Sequence, residues 1–293
     1  MNDRPHSSGR TLREQLARGT ALLADAGIRE AENDARILLE YAANINRSYF
    51  YLHGHDEMDP SDAEDYTYLL RRRAEREPVQ YLTGEAPFYG ETFYVTPDVL
   101  IPRQDTEVLI EEAVRRLEPG MHVLDLCTGS GCILLTLLRE ASVTGIGSDL
   151  SAAALAVAEK NRRRMRLRAT WIESDLFARI GGCFDMIVSN PPYIRSGDLP
   201  LLESEVRAHE PVLALDGGAD GLSVIRRIVS EAPRYLSPEG WLLLEIGYDQ
   251  GQAVRALLEN ENYREICLTR DLEHRDRVVI GRAPAGAARL ENR

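Results

Sequence analysis

From His122 onward, short apolar runs alternate with amphipathic stretches, and this alternation constrains the fold more than any other feature of the chain. The runs that we interpret as strands are His122–Cys127, Thr144–Asp149, Ala169–Ser174, Phe184–Asn190 and Trp241–Gly247. The stretches with helical spacing between them are Gly131–Glu140, Ser151–Arg164 and Gly221–Leu236. Strands that alternate with helices are typical of a parallel sheet covered by helices on both faces. The sequence therefore predicts an α/β fold.

The end of the chain departs from this alternation. After a predicted helix at Asp249–Glu259, two strands at Tyr263–Arg270 and Arg277–Arg282 are separated by only a few polar residues. Because a parallel crossover needs about a dozen residues or more, these two strands should pair antiparallel. We expect a mostly parallel sheet with an antiparallel last strand.

The region before Gly84 has a different pattern, in which apolar residues recur at helical spacing and no strand signal interrupts them. We interpret residues 1–84 as a helical domain. Aromatic residues on both sides of Gly90 predict two short strands and a turn, which we interpret as a hairpin linker at 85–104. The α/β domain would then occupy 105–283, with a flexible tail at 284–293.

Composition and charge exclude several classes of protein. The 35 basic and 47 acidic residues give a net charge of −12, which disfavours binding through nucleic-acid phosphates, and we expect no direct nucleic-acid partner. No apolar run approaches the ~20 residues of a membrane span, and the polar segment Met1–Arg13 does not resemble a secretory signal. The four cysteines form no CxxC pair, so the cytoplasm is the expected location. His53 and His55 lack neighbours with metal-ligand spacing, and we expect no metal site.

The first candidate site is the glycine-rich loop after the strand at His122–Cys127. A buried strand that enters a glycine turn and then a helix is typical of the nucleotide crevice of a doubly wound sheet, where backbone amides approach the ligand closely. Leu134 stands where the dinucleotide fingerprint needs a further glycine, which disfavours NAD and FAD. A tight turn that binds no ligand is the alternative. The candidate cofactor-binding residues of the loop are Cys127, Thr128, Gly129, Ser130 and Gly131.

The second candidate is Asp149, which ends the next predicted strand 18 residues beyond Gly131. An acidic side chain at this position can accept hydrogen bonds from two ribose hydroxyls. Asp149 could instead cap the helix that starts at Ser151. The glycine loop upstream favours the ribose interpretation.

The third candidate is the segment Asn190-Pro191-Pro192-Tyr193, at the C-terminal end of a predicted strand, where open α/β sheets bind their ligands. Pro191 restricts Asn190 to an extended conformation. The side-chain oxygen of Asn190 and the carbonyl oxygen of Pro191 can then serve as two acceptors for an NH2 group. Pro192 and Tyr193 would contact the substrate, with the Tyr193 ring as a flat wall. A proline-rich turn without function is the alternative.

In this order, the three sites resemble class I methyltransferases, which use S-adenosylmethionine and methylate planar nitrogens. Longer stretches are similar to the HemK/PrmC family, which methylates a glutamine of peptide chain release factors. Those stretches are Glu77–Gly84, Leu100–Glu107, Glu210–Leu215 and Gly217–Leu222. The resemblance spans about residues 12–283 and implies a Rossmann-like methyltransferase sheet, preceded by a helical domain that helps to hold the release factor.

The resemblance also implies a reaction and further site residues. A methyl group passes from S-adenosylmethionine, leaving S-adenosylhomocysteine, to the side-chain amide of the glutamine in the Gly-Gly-Gln motif of class I release factors. By position in the fold, Asp175 and Leu176 would lie near the adenine, and Asn190 would also contact the cofactor. Two positions depart from the family pattern: Cys127 stands where the loop often begins with glycine, and Gln104 stands where the motif has proline.

Two other functions stay open from the sequence. A nucleic-acid amino methyltransferase could use the same acceptors on a flipped adenine or guanine, although only about 100 residues follow Tyr193 and the helical domain is acidic. A non-catalytic module could bind S-adenosylmethionine or a release factor without turnover. Asn190 and Tyr193, both present in the motif, favour catalysis.

Overall fold

The computed structural model describes residues 11–284, which form two compact units. The first unit extends to Gly84 and also includes the segment Ser204–His209, whereas the second comprises Glu85–Glu203 and the residues from Glu210 onward. Apart from Pro284, the predicted tail at 284–293 lies outside the described residues. In the described range, no helix is both long enough and apolar enough to cross a membrane.

Helices and strands cover most of residues 11–284. The α-helices are α1 (Leu12–Asp25), α2 (Ala31–Ala42), α3 (Arg47–His53), α4 (Pro60–Ala74), α5 (Val79–Thr83), α6 (Glu107–Val114), α7 (Cys132–Glu140), α8 (Ala152–Met165), α9 (Ser204–His209), α10 (Ser223–Glu231) and α11 (Gly251–Asn260). The strands are β1 (Glu85–Phe88), β2 (Glu91–Tyr94), β3 (His122–Leu126), β4 (Thr144–Asp149), β5 (Thr170–Glu173), β6 (Phe184–Ser189), β7 (Leu236–Glu245), β8 (Arg264–Arg270) and β9 (Asp276–Arg282).

The first unit is helical and contains a buried ionic cluster centred on Arg73 of α4. Its guanidinium Nε donates to Asp34 Oδ2 at 2.7 Å, and Nη2 donates to Glu205 Oε1 at 2.9 Å. Because the Arg73 and Asp34 side chains are each only 6% exposed, loss of one partner would leave an uncompensated buried charge. Arg73 therefore links α4 to α2 and to α9. Helix α9 belongs to this unit although it begins 120 residues after Gly84.

The second unit contains a seven-stranded sheet in the order β5-β4-β3-β6-β7-β9-β8. Strands β3 to β7 pair in parallel, and β9 pairs antiparallel with both β7 and β8. The predicted α/β class, with its mostly parallel sheet, antiparallel last strand and N-terminal helical region, is confirmed. Leu124 and Ile187 face one buried layer, whereas Val123 and Val188 face the other. Burial on both faces explains why the sequences of these strands are continuous apolar runs.

Two predicted boundaries were wrong near Leu236. The strand predicted to start at Trp241 begins at Leu236, and the helix predicted to reach Leu236 ends at Glu231. Pro233 lies in the short 3-10 turn after α10 and cannot continue an α-helical ladder. Leu236 pairs with Phe184 of β6, so a contact distant in sequence extends the strand through a Pro- and Gly-containing segment.

The predicted hairpin is present as β1 and β2, which pair antiparallel. The buried side-chain amide of Asn161 connects this hairpin to the second unit's sheet region. Asn161 of α8 accepts a hydrogen bond from Tyr94 N at 2.7 Å. Its Nδ2 donates to Tyr94 O and to Ser130 O, both at 2.9 Å. A single side chain therefore holds the hairpin and the glycine loop together.

Gly131 sits at the start of α7 in a conformation and a space that suit only glycine. Its φ is +78°, and a Cβ at this position would lie 2.9 Å from Trp171 Cη2 and 3.2 Å from Ala158 Cβ. The absence of a side chain lets α7 approach β5 and α8 closely.

We predict that Gly131→Ala lowers the free energy of unfolding by about 2–4 kcal/mol, because the cost of a positive φ and the cost of an overpacked contact add together. Gly120→Ala is the matched control: its φ is +89°, but among the described residues no atom lies within 4 Å of the added Cβ. The control should lose only about 1–2 kcal/mol. Urea unfolding monitored by tryptophan fluorescence measures both, and equal losses would contradict the steric contribution of Trp171.

Candidate active site

A cavity of about 220 Å³ lies just beyond the C-terminal ends of β3, β4, β5 and β6. This is the edge at which open α/β sheets bind their ligands. Most of the residues predicted for the site line the cavity: Cys127, Thr128, Gly129, Ser130, Asp149, Asp175, Leu176, Asn190 and Pro192. Gly131, Pro191 and Tyr193 are not among its lining residues, so the ligand contacts expected of these three stay predictions.

The glycine loop is shaped by left-handed residues at alternate positions and by one buried carboxylate. Cys127, Gly129 and Gly131 have φ values of +58°, +53° and +78°. Asp125 Oδ2, at the end of β3, accepts hydrogen bonds from Thr128 Oγ1 at 2.5 Å and from Leu134 N at 3.3 Å. Asp125 thus holds both the loop and the first turn of α7. Asp125 was not among the residues predicted for the site, although its place before the glycine turn was a signal.

Asp149 connects the glycine loop to the loop after β4. Its Oδ2 accepts from Gly129 N and its Oδ1 from Ser151 N, each at 2.9 Å. Burial raises the pKa of Asp149, although these backbone hydrogen bonds lower it. Each carboxylate oxygen keeps a lone pair beyond its backbone partner. Contact with the start of α8 and acceptance from a ligand hydroxyl are therefore compatible.

Asp175 and Leu176 lie on the loop after β5. Asp175 is exposed and pairs with Arg227 Nη1 at 2.9 Å, and Arg227 also lines the cavity. Leu176 is buried and has a φ of +48°. The loop contributes one charged and one apolar side chain to the wall of the cavity.

Asn190 lies directly after β6 with its amide oriented by Thr106. Nδ2 donates to Thr106 Oγ1 at 3.2 Å, which leaves Oδ1 available as an acceptor. Thr106 is buried immediately before α6 and lines the same cavity. Thr106 lies in the stretch Leu100–Glu107 that carries the family resemblance, but no role was predicted for it.

Tyr193 is not among the residues that line the cavity, and its hydroxyl points at a buried acid. Its Oη donates to Glu245 Oε1 at 3.2 Å, and burial raises the pKa of Tyr193. Burial also raises the pKa of Glu245 to about 7, although a hydrogen bond from the Thr106 hydroxyl and the nearby Arg277 lower it. Glu245 was not among the residues predicted for the site. An acidic residue at the C-terminal end of β7, the strand next to β6, was the available signal.

Arg103 and Glu210 join two stretches on another wall of the cavity. Arg103 lines the cavity and forms an ion pair with the buried carboxylate of Glu210. Pro211, Leu213 and Ala214 continue this wall. The ion pair therefore anchors a polar and apolar surface that faces the cavity.

Comparison with known proteins identifies the family. Residues 14–84 match the PrmC N-terminal domain, and residues 104–205 match the methyltransferase small domain. A release factor glutamine methyltransferase from Geobacter sulfurreducens is 42% identical over 276 residues, 93% of this chain and 96% of that protein. One from Cereibacter sphaeroides is 46% identical over 270 residues, 90% of this chain and 95% of that protein. The chain belongs to the release factor glutamine methyltransferase family.

A solved structure agrees with the fold of this release factor glutamine methyltransferase family member. A crystal structure of a methyltransferase from Pyrococcus furiosus covers 68% of this chain and 91% of its own, with a TM-score of 0.53 and 16% identity. At that identity the likeness concerns the fold alone. The α/β fold expected from the sequence is thus supported independently of family membership.

Cys127 occupies a backbone conformation that favours glycine. Its φ of +58° is in the left-handed region, which costs a non-glycine residue roughly 1–2 kcal/mol. Burial raises the pKa of the Cys127 thiol, so the side chain is a small neutral group at neutral pH. The loop therefore follows this backbone path with a cysteine at its first left-handed position.

We predict a pH-dependent contribution of Asp125 to stability. Burial raises the pKa of Asp125 to about 7. Between about pH 4 and about pH 7 the folded protein keeps a proton that the unfolded chain releases, so the free energy of unfolding falls as the pH rises. Asp125→Asn cannot titrate, and relative to wild type it should gain roughly 2–3 kcal/mol between about pH 5 and about pH 8.

Urea unfolding at both pH values measures this difference. Asp216→Asn is the control, because hydrogen bonds from Ser196 Oγ and Gly218 N lower the pKa of Asp216, so that it is ionised in both states throughout this pH range. The control should shift stability equally at the two pH values. Parallel pH profiles for wild type and Asp125→Asn would show that Asp125 is already ionised in the folded protein at the lower pH.

Proposed function

We propose that this protein transfers a methyl group from S-adenosylmethionine to the side-chain amide nitrogen of the glutamine in the Gly-Gly-Gln motif of class I peptide chain release factors. The observation that carries the proposal is the orientation of Asn190, whose Nδ2 is engaged by Thr106 and whose Oδ1 is left to accept from an NH2 group. The names of the relatives, with which the chain shares 42% and 46% identity, support the same substrate.

The residues across the cavity fit S-adenosylmethionine. Gly129 lines the cavity, and a Cβ there would meet no atom of residues 11–284 within 4 Å, so the backbone offers a cradle for a ligand. We propose that the glycine loop holds the cofactor, that Asp149 accepts from the ribose hydroxyls, and that Asp175 and Leu176 lie beside the adenine. When bound, the cofactor supplies an electrophilic methyl group on a positively charged sulfur.

The contribution of the chain to catalysis would be positioning. An amide nitrogen is a poor nucleophile, because its lone pair is delocalised into the carbonyl group. Asn190 Oδ1 and the Pro191 carbonyl oxygen would each accept one N–H and direct the nitrogen toward the methyl group. Because the nitrogen becomes positive as the bond forms, these acceptors stabilise the transition state more than the ground state. Pro192 and Tyr193 would complete the substrate wall, and the proton would leave to water.

The helical unit would serve the protein substrate. We propose that residues 1–84 help to hold the release factor, that 85–104 join this region to the catalytic part at 105–283, and that the enzyme acts in the cytoplasm, where translation terminates. The match of residues 14–84 to the PrmC N-terminal domain supports this assignment. The net charge of −12 disfavours a nucleic-acid substrate, which would need positive charge on the protein.

Asp149→Asn should weaken S-adenosylmethionine binding about 10-fold to 100-fold, because it removes a charge-assisted acceptor for ribose. Isothermal titration calorimetry measures the dissociation constant, and circular dichroism verifies the fold. Asn190→Ala is the comparison variant, since Asn190 would act mainly on the substrate, and its cofactor affinity should stay within about 3-fold of wild type. A folded Asp149→Asn protein with unchanged affinity would remove the ribose assignment.

A methyl-transfer assay with tritiated cofactor, offered in parallel to release factor, ribosomal RNA and DNA, tests the function. We expect label on the release factor only, at the Gly-Gly-Gln glutamine. Asn190→Ala should lower kcat by about 10²–10³, comparable to the loss of one preorganised transition-state hydrogen bond. Label on nucleic acid would favour an amino methyltransferase of bases, and cofactor binding without transfer to any substrate would favour a non-catalytic module.

A further inference from the structure

Two arginines of the described residues line the cavity, and they lie in different places. Arg227 pairs with Asp175, an acidic residue of the cavity wall on the loop after β5. Arg103 lies on the side of Asn190 instead. Its carbonyl oxygen accepts from Thr106 N at 3.1 Å, and Thr106 Oγ1 accepts from Asn190 Nδ2 at 3.2 Å. Arg103 therefore brings a positive charge to the part of the cavity wall next to Asn190.

The Arg103 guanidinium is held at one edge and free at the other. Its Nη2 donates to Glu210 Oε1. The Glu210 side chain is only 1% exposed, whereas that of Arg103 is 40% exposed. A guanidinium has five N–H donors in a rigid plane. Within residues 11–284, the Arg103 side chain forms no hydrogen bond other than that to Glu210, so its remaining donors are available to a ligand.

Glu210 is poorly suited to stabilise the fold by itself. Its carboxylate is buried, and its Oε2 has no hydrogen-bond partner among the described residues. Removing a carboxylate from water costs free energy that a single ion pair only partly recovers. The effect of the pair is geometric, because a carboxylate fixed by burial holds the guanidinium at the cavity wall.

The amino-acid end of S-adenosylmethionine needs a partner of this kind. Its sulfur carries a methyl group, an adenosyl group and a third chain that ends in a carboxylate and an ammonium group. In the proposed function, the adenosyl group lies at Asp149 and Asp175 and the methyl group points toward Asn190, so the third chain has no assigned partner. A carboxylate inside a cavity requires charge-assisted hydrogen bonds, and a planar guanidinium matches its two oxygens.

We propose that Arg103, anchored by the buried carboxylate of Glu210, binds the carboxylate at the amino-acid end of S-adenosylmethionine. The subsite makes the cavity select ligands that carry this carboxylate over adenosine derivatives that lack it. It rests on the proposed function only in taking S-adenosylmethionine as the cofactor, and it does not depend on the release factor as the substrate.

Isothermal titration calorimetry with three ligands tests the subsite without turnover. S-adenosylhomocysteine keeps the carboxylate, its decarboxylated analogue keeps only the ammonium group at that end, and 5′-methylthioadenosine lacks both. Wild type should bind S-adenosylhomocysteine about 10-fold to 100-fold more tightly than the decarboxylated analogue. In Arg103→Gln this preference should fall below about 3-fold, while the affinity for 5′-methylthioadenosine stays within about 2-fold of wild type.

Arg227→Gln is the matched control, because it removes the second arginine that lines the cavity among the described residues. It should change the affinities for S-adenosylhomocysteine and for the decarboxylated analogue by the same factor. An undiminished preference for the carboxylate in Arg103→Gln would overturn the proposal and would assign the carboxylate to the backbone N–H groups of the glycine loop.

A second variant keeps the test decisive if Arg103→Gln fails to fold, since that change leaves the buried Glu210 carboxylate unpaired. Arg103→Gln combined with Glu210→Gln removes both charges, and circular dichroism verifies its fold. The double variant should lose the same preference for the carboxylate. If wild type shows the preference but does not methylate release factor, the subsite stands and only the proposed substrate is wrong. A folded wild type that binds none of the three ligands would contradict both the subsite and the proposed function.

Discussion

The reversal of chain direction between β3 and α7 depends on one buried carboxylate, that of Asp125. The loop needs left-handed residues at Cys127, Gly129 and Gly131, a backbone path that is costly for the first of them. Asp125 offsets this cost by accepting from Thr128 Oγ1 and Leu134 N. With the loop held in this shape, the N–H of Gly129 reaches Asp149, and the ends of β3 and β4 become one surface.

The opposite wall of the cavity is organised by a second buried carboxylate, that of Glu245. It accepts a hydrogen bond from the Tyr193 hydroxyl, and Thr106 accepts one from the Asn190 amide. Both walls therefore follow one physical rule: a buried acid that cannot reach water orders the polar groups around it, because each unsatisfied partner would cost free energy. The same burial raises the pKa values of Asp125 and Glu245 and makes this ordering strong.

Much of the fold was predictable from the sequence, because local sequence patterns determine its helices and strands. The alternation of strands and helices and the short final connection correctly predicted the sheet and its antiparallel β9. The start of β7 was not predictable, since Leu236 joins the sheet only by pairing with Phe184, about 50 residues away. The helix α9 joins the first unit through Glu205 and Arg73, a contact that no local pattern contains.

The sequence by itself determined the kinds of chemistry available: a glycine loop, an acid at Asp149 and the acceptor Asn190, each placed at the end of a strand. Only the tertiary structure decided how these groups are aimed. Gly131 is required by the ring of Trp171, and Asn190 is oriented by Thr106, which lies 84 residues earlier in the chain. Hydrogen bonds and close contacts act over a few ångströms in space, whereas sequence patterns report only neighbours along the chain. The residues that position the site therefore became visible only once the fold had brought them together.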